Sequence, residues 1–224
     1  MTLTLIWLLL QSWLKLKVKF LRGGGIRGKA TYFVLVSTNF YNIFSKDSKE
    51  YISKIMECGG EIALHFDETQ YEMNDEEELI THIIEERNIL QGVAGMPVRV
   101  VSMHRPSKQF LTKDLKIEGI INAYGKEYFS EMKYISDSRR NWREDVDNLD
   151  FENYKRFCIL THPIWYDQTE KENIKAALYD QIIKSLRDKW SYFEENISNF
   201  ETIFSLNEIN ILMEKIKRLN NEII

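Results

Sequence analysis

No acidic residue occurs before Asp47 in this 224-residue chain, which also holds only two cysteines and four histidines. The cysteines, Cys58 and Cys158, form no C-x-x-C pair, so cysteine alone cannot build a zinc site here. So few and so distant thiols fit a reducing compartment, and the chain is expected to be cytoplasmic. No internal repeat or low-complexity segment breaks the sequence. The apolar opening run, Leu3–Leu10, has no positive charge before it and no small-x-small cleavage site after it, which argues against a signal peptide. The run is too short to span a bilayer, so stable membrane insertion is not expected and a buried strand is the better reading. A net charge of −4 gives no electrostatic reason to expect nucleic acid. The one basic stretch, from Lys15 to Lys29, is short.

What is present is ordinary for a water-soluble globular fold: 44% hydrophobic and 29% charged residues. A chain of this length suits one domain, expected to run over residues 1–224 with an atypical first strand within 1–25 and a helical part over 168–224. The segment Trp13–Leu21 mixes helix and strand periods, and Gly23-Gly24-Gly25 reads as a loop. Thr31–Ser37 is uncharged and rich in β-branched and aromatic residues, which predicts a strand buried on both faces. Ser45 to Met56 reads as a helix capped by Ser45 and ended by Gly59-Gly60. Glu61–Phe66 is the next strand. Asp75 to Leu90 is an amphipathic helix with acids at its start, where they complement the helix dipole. Val98–Met103 and Phe157–Thr161 are further strands, and Ile117–Ala123 and Tyr134-Ile135 are short apolar pieces. From Thr169 onward the apolar spacing is three and four, as in a helix.

Strands alternating with helices imply a parallel sheet or a barrel, and both place functional residues at the C-terminal ends of the strands. His65, His104 and His162 each stand at or just past the end of an apolar strand-like run. His82 lies inside the amphipathic helix and reads as structural.

These positions fall within a set of motifs. The segment Lys29–Val36 (KATYFVLV) is followed by a helix and then by Gly59–Glu68 (GGEIALHFDE). HRPS follows at His104–Ser107, DSRRNW at Asp137–Trp142 and ILTHP at Ile159–Pro163. Their order resembles the second to fifth motifs of the polysaccharide deacetylase superfamily, the NodB-like carbohydrate esterases, over about Arg27 to Tyr166. The resemblance implies an α/β fold, a distorted (β/α) barrel of about seven strands, here with added C-terminal helices. It also implies metal-assisted removal of an acetyl group from an N-acetylated sugar. In that family an Asp pair on the first strand supplies a base and a ligand. A His-x-x-x-His pair supplies two more ligands, and a late His protonates the leaving amine.

The chain departs from the pattern twice. Its first strand, Leu3–Leu10, has no Asp, and Thr69 stands where the second His of the pair would be. Either the chain is a divergent member whose metal site is rebuilt or lost, or the first 25 or so residues are not the natural start, as after a frameshift. The resemblance implies His65 as a ligand for a divalent metal, zinc being suited to imidazole; Asp67, on the same strand face two residues on, and His104, near in sequence, are the candidates to replace the missing ligands. It implies His162 as the acid, Asp137 as its orienting carboxylate, and Arg105 as a residue that holds a carboxylate or substrate. Each has a plainer alternative: Asp67 or Asp137 as a cap or turn residue, Arg105 in a surface ion pair. Trp142, Trp165 and Tyr166 read either as a sugar-stacking wall or as core. The expected function is a deacetylase-like hydrolase acting on an N-acetylated sugar or sugar precursor in surface polysaccharide metabolism, with Asp67 or Glu68 as the local candidates for a base. The alternative is a catalytically degenerate member that binds carbohydrate or serves assembly.

Overall fold

The computed structural model of the protein describes residues 3–7, 30–108, 113–129, 131–138, 141–142, 144, 150, 152–154, 156–162, 165, 174–203, 205, 207–208, 210–212 and 214–215. Trp13–Leu21, the triple glycine and Tyr166 therefore lie outside the described residues. The chain forms two compact units, Met1–Ile174 and Lys175–Ile224.

The first unit is built on seven strands: β1 (Leu3–Trp7), β2 (Ala30–Leu35), β3 (Glu61–Phe66), β4 (Val100–Met103), β5 (Ile121–Asn122), β6 (Lys133–Ser136) and β7 (Phe157–Thr161). All neighbours pair in parallel, in the order β5-β4-β3-β2-β1-β7-β6. This is the chain order read around a circle and opened between β5 and β6. Among the described residues those two strands are the ends of the sheet, and no pairing joins them. Leu3–Trp7 of the apolar opening run is a strand, and it lies inside the sheet between β2 and β7. Its residues, LTLIW, bring no acid there.

Parallel strands are covered on both faces, which is why β2 and β3 read as continuous apolar runs. Phe33 and Ala63 pack on one face with Val100, Cys158 and Leu160. Val34, Leu64 and Phe66 pack on the other with Ile52, Ile55, Ile83 and Leu90. Those last four come from helices α1 (Lys46–Glu57) and α2 (Glu76–Ala94). The N-caps are the expected ones: Ser45 accepts from the Ser48 N–H, and Asp75 from the Glu78 N–H. Helix α2 runs one turn past Leu90 to a Gly95 cap. The turn from α1 into β3 needs both its glycines. Gly59 has φ of 76°, open mainly to glycine, and a Cβ on Gly60 would enter the Tyr32 ring and lie 2.8 Å from Ile55 Cγ2. A short helix, α3 (Lys126–Phe129), precedes β6.

The second unit holds α4 (Ile174–Asn196), whose first residue is the last of the first unit, and α5 (Phe200–Ile203). Phe200 folds back on Trp190, with ring centroids 4.8 Å apart. No helix is long and apolar enough to cross a membrane among the described residues.

Candidate functional site

In a parallel sheet all C-terminal strand ends share one rim, and that rim collects the polar residues singled out by the sequence. His65 is the fifth residue of β3 and lies level with Leu35 of β2 and Ser102 of β4. His104 follows β4 directly, its N–H donating to the Phe66 carbonyl at 2.7 Å. Asp137 follows β6 and His162 follows β7.

The His65 ring is 1% exposed. Its Nδ1 faces the Ser102 carbonyl at 3.2 Å, and a carbonyl only accepts, so the hydrogen sits on Nδ1. Nε2 then presents its lone pair to His104 Nδ1, 3.1 Å away. Phe33 meets the His65 ring edge-on, with centroids 6.3 Å apart. Burial first, and then repulsion from His104, pushes His65 well below the usual histidine range, while the Ser102 contact opposes the shift. Burial likewise lowers His104, Asp67 opposes it, and Arg105 and His162 add to it. His162 adds in the same direction on both rings.

A folded-state pKa below the unfolded one makes stability depend on pH in one direction. The unfolded chain takes up protons first as pH falls through about 6.5, so stability falls below that point and is unaffected above it. Each such imidazole adds a slope of up to about 1.4 kcal/mol per pH unit. Urea midpoints are expected to be flat from pH 8 to 7 and to fall below 6.5, with a shallower fall in His65→Asn. Equal slopes for variant and parent would show that His65 is not held neutral by the fold.

Asp67 caps a 3₁₀ turn at Glu68–Gln70. Its Oδ1 accepts from the Thr69 N–H at 3.2 Å and the Thr69 hydroxyl at 2.8 Å. Arg105 grips both oxygens, Nε to Oδ1 at 3.3 Å and a terminal nitrogen to Oδ2 at 2.5 Å. Gln70 Nε2 donates to Oδ2 at 3.3 Å. Burial works to raise this carboxyl, but the bonds from Arg105 and Thr69 outweigh it and hold it down to about 2. Neighbouring Glu68 accepts from the Ser107 N–H.

Asp137 is also buried, 1% exposed. Both its oxygens accept from the His162 backbone N–H at 3.0 Å, and Oδ1 accepts from His162 Nδ1 at 2.5 Å. One carboxylate thus fixes both the position of His162 and which ring nitrogen carries the hydrogen. Trp165, half-buried, lies 6.4 Å from the His162 ring. Trp142 is half-buried as well. His82 stacks on Tyr71 at 4.2 Å and pairs with Glu85, on α2.

The six singled-out residues therefore form three pairs on one rim: His65 with His104, Asp67 with Arg105, and Asp137 with His162. Sequence reasoning missed the partners that set them, namely the Ser102 carbonyl on His65 and the Thr69 hydroxyl on Asp67. The D-x-T spacing signals the second; nothing in the sequence signals a backbone carbonyl. It also missed Glu86, a buried acid of α2 whose Oε1 accepts from the Tyr71 hydroxyl at 2.6 Å.

Whether these donors fit a catalytic metal follows from their occupancy. Two nitrogens 3.1 Å apart suit two ligands of one ion, since a tetrahedral zinc with bonds of about 2.05 Å sets its ligands roughly 3.3 Å apart. A catalytic zinc needs a third protein ligand. Asp67, the expected one, is saturated by Arg105, Thr69 and Gln70. Among the described residues no group of three or more His, Cys, Asp or Glu could hold a metal ion. The donor set does not fit a three-ligand centre.

No family model matches the chain, and no curated protein matches it. The chain is similar to several solved structures. One is the peptidoglycan deacetylase PdaC from Bacillus subtilis, at 20% identity and a TM-score of 0.44, over 84% of this chain and 83% of that one. Another is the Xyl-CE4 domain of a multidomain xylanase from the hindgut metagenome of Trinervitermes trinervoides, at 16% identity and a TM-score of 0.44, over 87% and 89%. A third is a mutant CE4 family pseudoenzyme with restored enzymatic activity, at 14% identity and a TM-score of 0.41, over 84% of this chain. The chain spans 63% of the length of that pseudoenzyme.

Proposed function

We propose that this protein is a deacetylase-like hydrolase that removes the acetyl group from an N-acetylated sugar, with His162 as the proton-transfer residue and Asp137 as its orienting carboxylate. The observation that carries the reading is the Asp137–His162 pair, standing on one rim with the His65–His104 pair. In the reaction, a water attacks the acetamide carbon while His162 Nε2 takes its proton. Asp137 stabilises the imidazolium that forms. The C–N bond then breaks as His162 returns the proton to the nitrogen, leaving acetate and a sugar amine. Asp67 is a poor base at about 2, bound as it is to Arg105, so both proton transfers fall to His162. No step is assigned to a metal.

The same reading takes the sheet as the wall of a NodB-like barrel. Its circular strand order and the electrostatic reach of His162 to His65 and His104 support that closure. The motif order along the chain supports the substrate class. Two cysteines a hundred residues apart in sequence, Cys58 exposed and Cys158 buried, support a reducing, cytoplasmic location.

A second reading is a catalytically degenerate member that binds carbohydrate. It is favoured by the acid-free β1 inside the sheet, where a base and a ligand would be expected from the resemblance. One experiment separates the two: the purified chain is incubated with an N-acetylglucosamine oligomer, and acetate release and binding are measured together, with and without added zinc. Release of acetate is expected. Binding without release supports the second reading, and neither binding nor release overturns both.

A further inference from the structure

Glu86 is a buried acid of the first unit that the proposed chemistry does not use. It is 2% exposed, on the core face of α2. Ile83 and Leu90, about one turn away on either side, are buried with Ile52 and Ile55 of α1. Its Oε1 accepts from the Tyr71 hydroxyl at 2.6 Å, and the Tyr71 oxygen lies 3.1 Å from Ser37 Oγ, two residues past β2. Its Oε2 is buried and takes no hydrogen bond among the described residues. The Tyr71 ring is stacked between Phe66 of β3, 5.4 Å away, and His82 of α2, 4.2 Å away. Tyr71 also closes the turn that Asp67 caps, its N–H donating to the Glu68 carbonyl at 3.3 Å. One side chain of α2 thus ties down both the end of β2 and the turn on which Asp67 meets Arg105.

We infer that Glu86 is a pH-sensitive latch: as a neutral acid it pins the Asp67 turn through Tyr71, and as a carboxylate it lets that turn open. The groups around it set the sign. Ser37 and Tyr41 come from the segment after β2, and Asp67 and Tyr71 from the turn. On α2 its neighbours are Glu85 and Arg87, with His82 against Tyr71. Burial raises the Glu86 carboxyl; Ser37 and Tyr71 oppose this without cancelling it, and Asp67 adds to it. Tyr71 is itself pushed up to about 12, so its hydroxyl keeps its hydrogen through the neutral range. A core tolerates a neutral carboxyl with one oxygen unbonded far better than a carboxylate whose oxygen has neither water nor partner. Ionisation also sets Glu86 against Asp67, which its bonds to Arg105 and Thr69 keep ionised. The charged form reaches water by drawing away from Tyr71, and the turn loses its anchor. Because the closed state holds its proton more tightly than the open state, closure is favoured at low pH. Opening gains up to about tenfold per pH unit from the ordinary glutamate value, about 4.3, up to the closed-state value, and nothing beyond it.

The test is amide hydrogen exchange of the full chain, read as protection factors at Thr69, Gln70 and Tyr71 so that the intrinsic pH dependence of exchange cancels. Wild type is expected to lose protection at these amides on the order of tenfold as pH rises from 5 to 8, while the amides of β3 keep theirs. Glu86→Gln, a neutral side chain of the same shape whose oxygen still accepts from Tyr71, is expected to stay protected at every pH. Tyr71→Phe, which lacks the hydroxyl, is expected to be poorly protected at every pH. Wild-type protection that does not change with pH overturns the latch, whatever the variants do. A fall that persists in Glu86→Gln overturns it as well, and loss of that fall in His82→Asn would assign the switch to the imidazole on the other side of Tyr71. None of these residues takes part in the proposed proton transfers, so the result stands apart from the function proposed above.

Discussion

Asp137→Asn is expected to lower acetate release by about a hundred- to ten-thousand-fold in kcat, with KM little changed. The carboxylate does two things that an amide cannot do together. It accepts the His162 N–H through both oxygens at 3.0 Å and the ring Nδ1–H at 2.5 Å. An asparagine keeps one acceptor and puts an NH₂ donor in place of the other oxygen. Either the backbone N–H or the ring N–H then faces a donor in a buried site, and the ring turns over to the other tautomer or leaves its place. The imidazolium formed in the reaction also loses its counter-charge. His162→Ala should cost a comparable amount, and the double variant little more, because two residues that act as one unit are not additive. A loss of less than about fivefold in either single variant, in protein that melts like wild type, would remove His162 from the proton transfer and with it the proposed mechanism.

The second large effect is on stability. Phe33→Ala is expected to cost about 3–5 kcal/mol, read as a drop in the urea midpoint at unchanged slope. Phe33 is wholly buried and packs with Ala63, Val100, Cys158 and Leu160, small or medium side chains on β3, β4 and β7 that cannot close over the space a benzyl group leaves. The same ring meets His65 edge-on, so the cavity opens under the rim as well as in the core. Phe40→Ala is the matched control: the same chemical change, seven residues on, at an exposed ring, with an expected shift within about 0.5 kcal/mol. Similar midpoints for the two variants would show that β2 does not pack its odd-numbered side chains into this core.

The contrast between Phe33 and Phe40 also marks how far the sequence could be read. Elements with local causes were legible. Glu61–Phe66 and Phe157–Thr161 are strands at the expected bounds, because short apolar runs between turn residues have few other uses. Ser45 and Asp75 cap the helices they precede, because a side-chain oxygen satisfies an N–H two or three residues on. Other bounds moved where packing prevailed over pattern. Helix α2 extends to Ala94 because Ala94 is buried against the core, although the apolar periodicity fades after Leu90. β4 starts at Val100 rather than Val98 because pairing with β3 and β5, not composition, defines its length.

For the site, the sequence alone determined which residues are present: three imidazoles at strand ends, a D-x-T cap, an acid-free first strand. A strand end follows from local pattern, and a parallel sheet sends every such end to one rim. Only the tertiary structure decided the pairings, because His65 with His104, Asp67 with Arg105 and Asp137 with His162 are 39, 38 and 25 residues apart. Contacts at that separation depend on strand order and register, which no window of local sequence contains. Asp67 shows the consequence most directly. The sequence offers it as a ligand beside His65, and it is the approach of Arg105, two residues past the end of β4, that turns it into half of an ion pair.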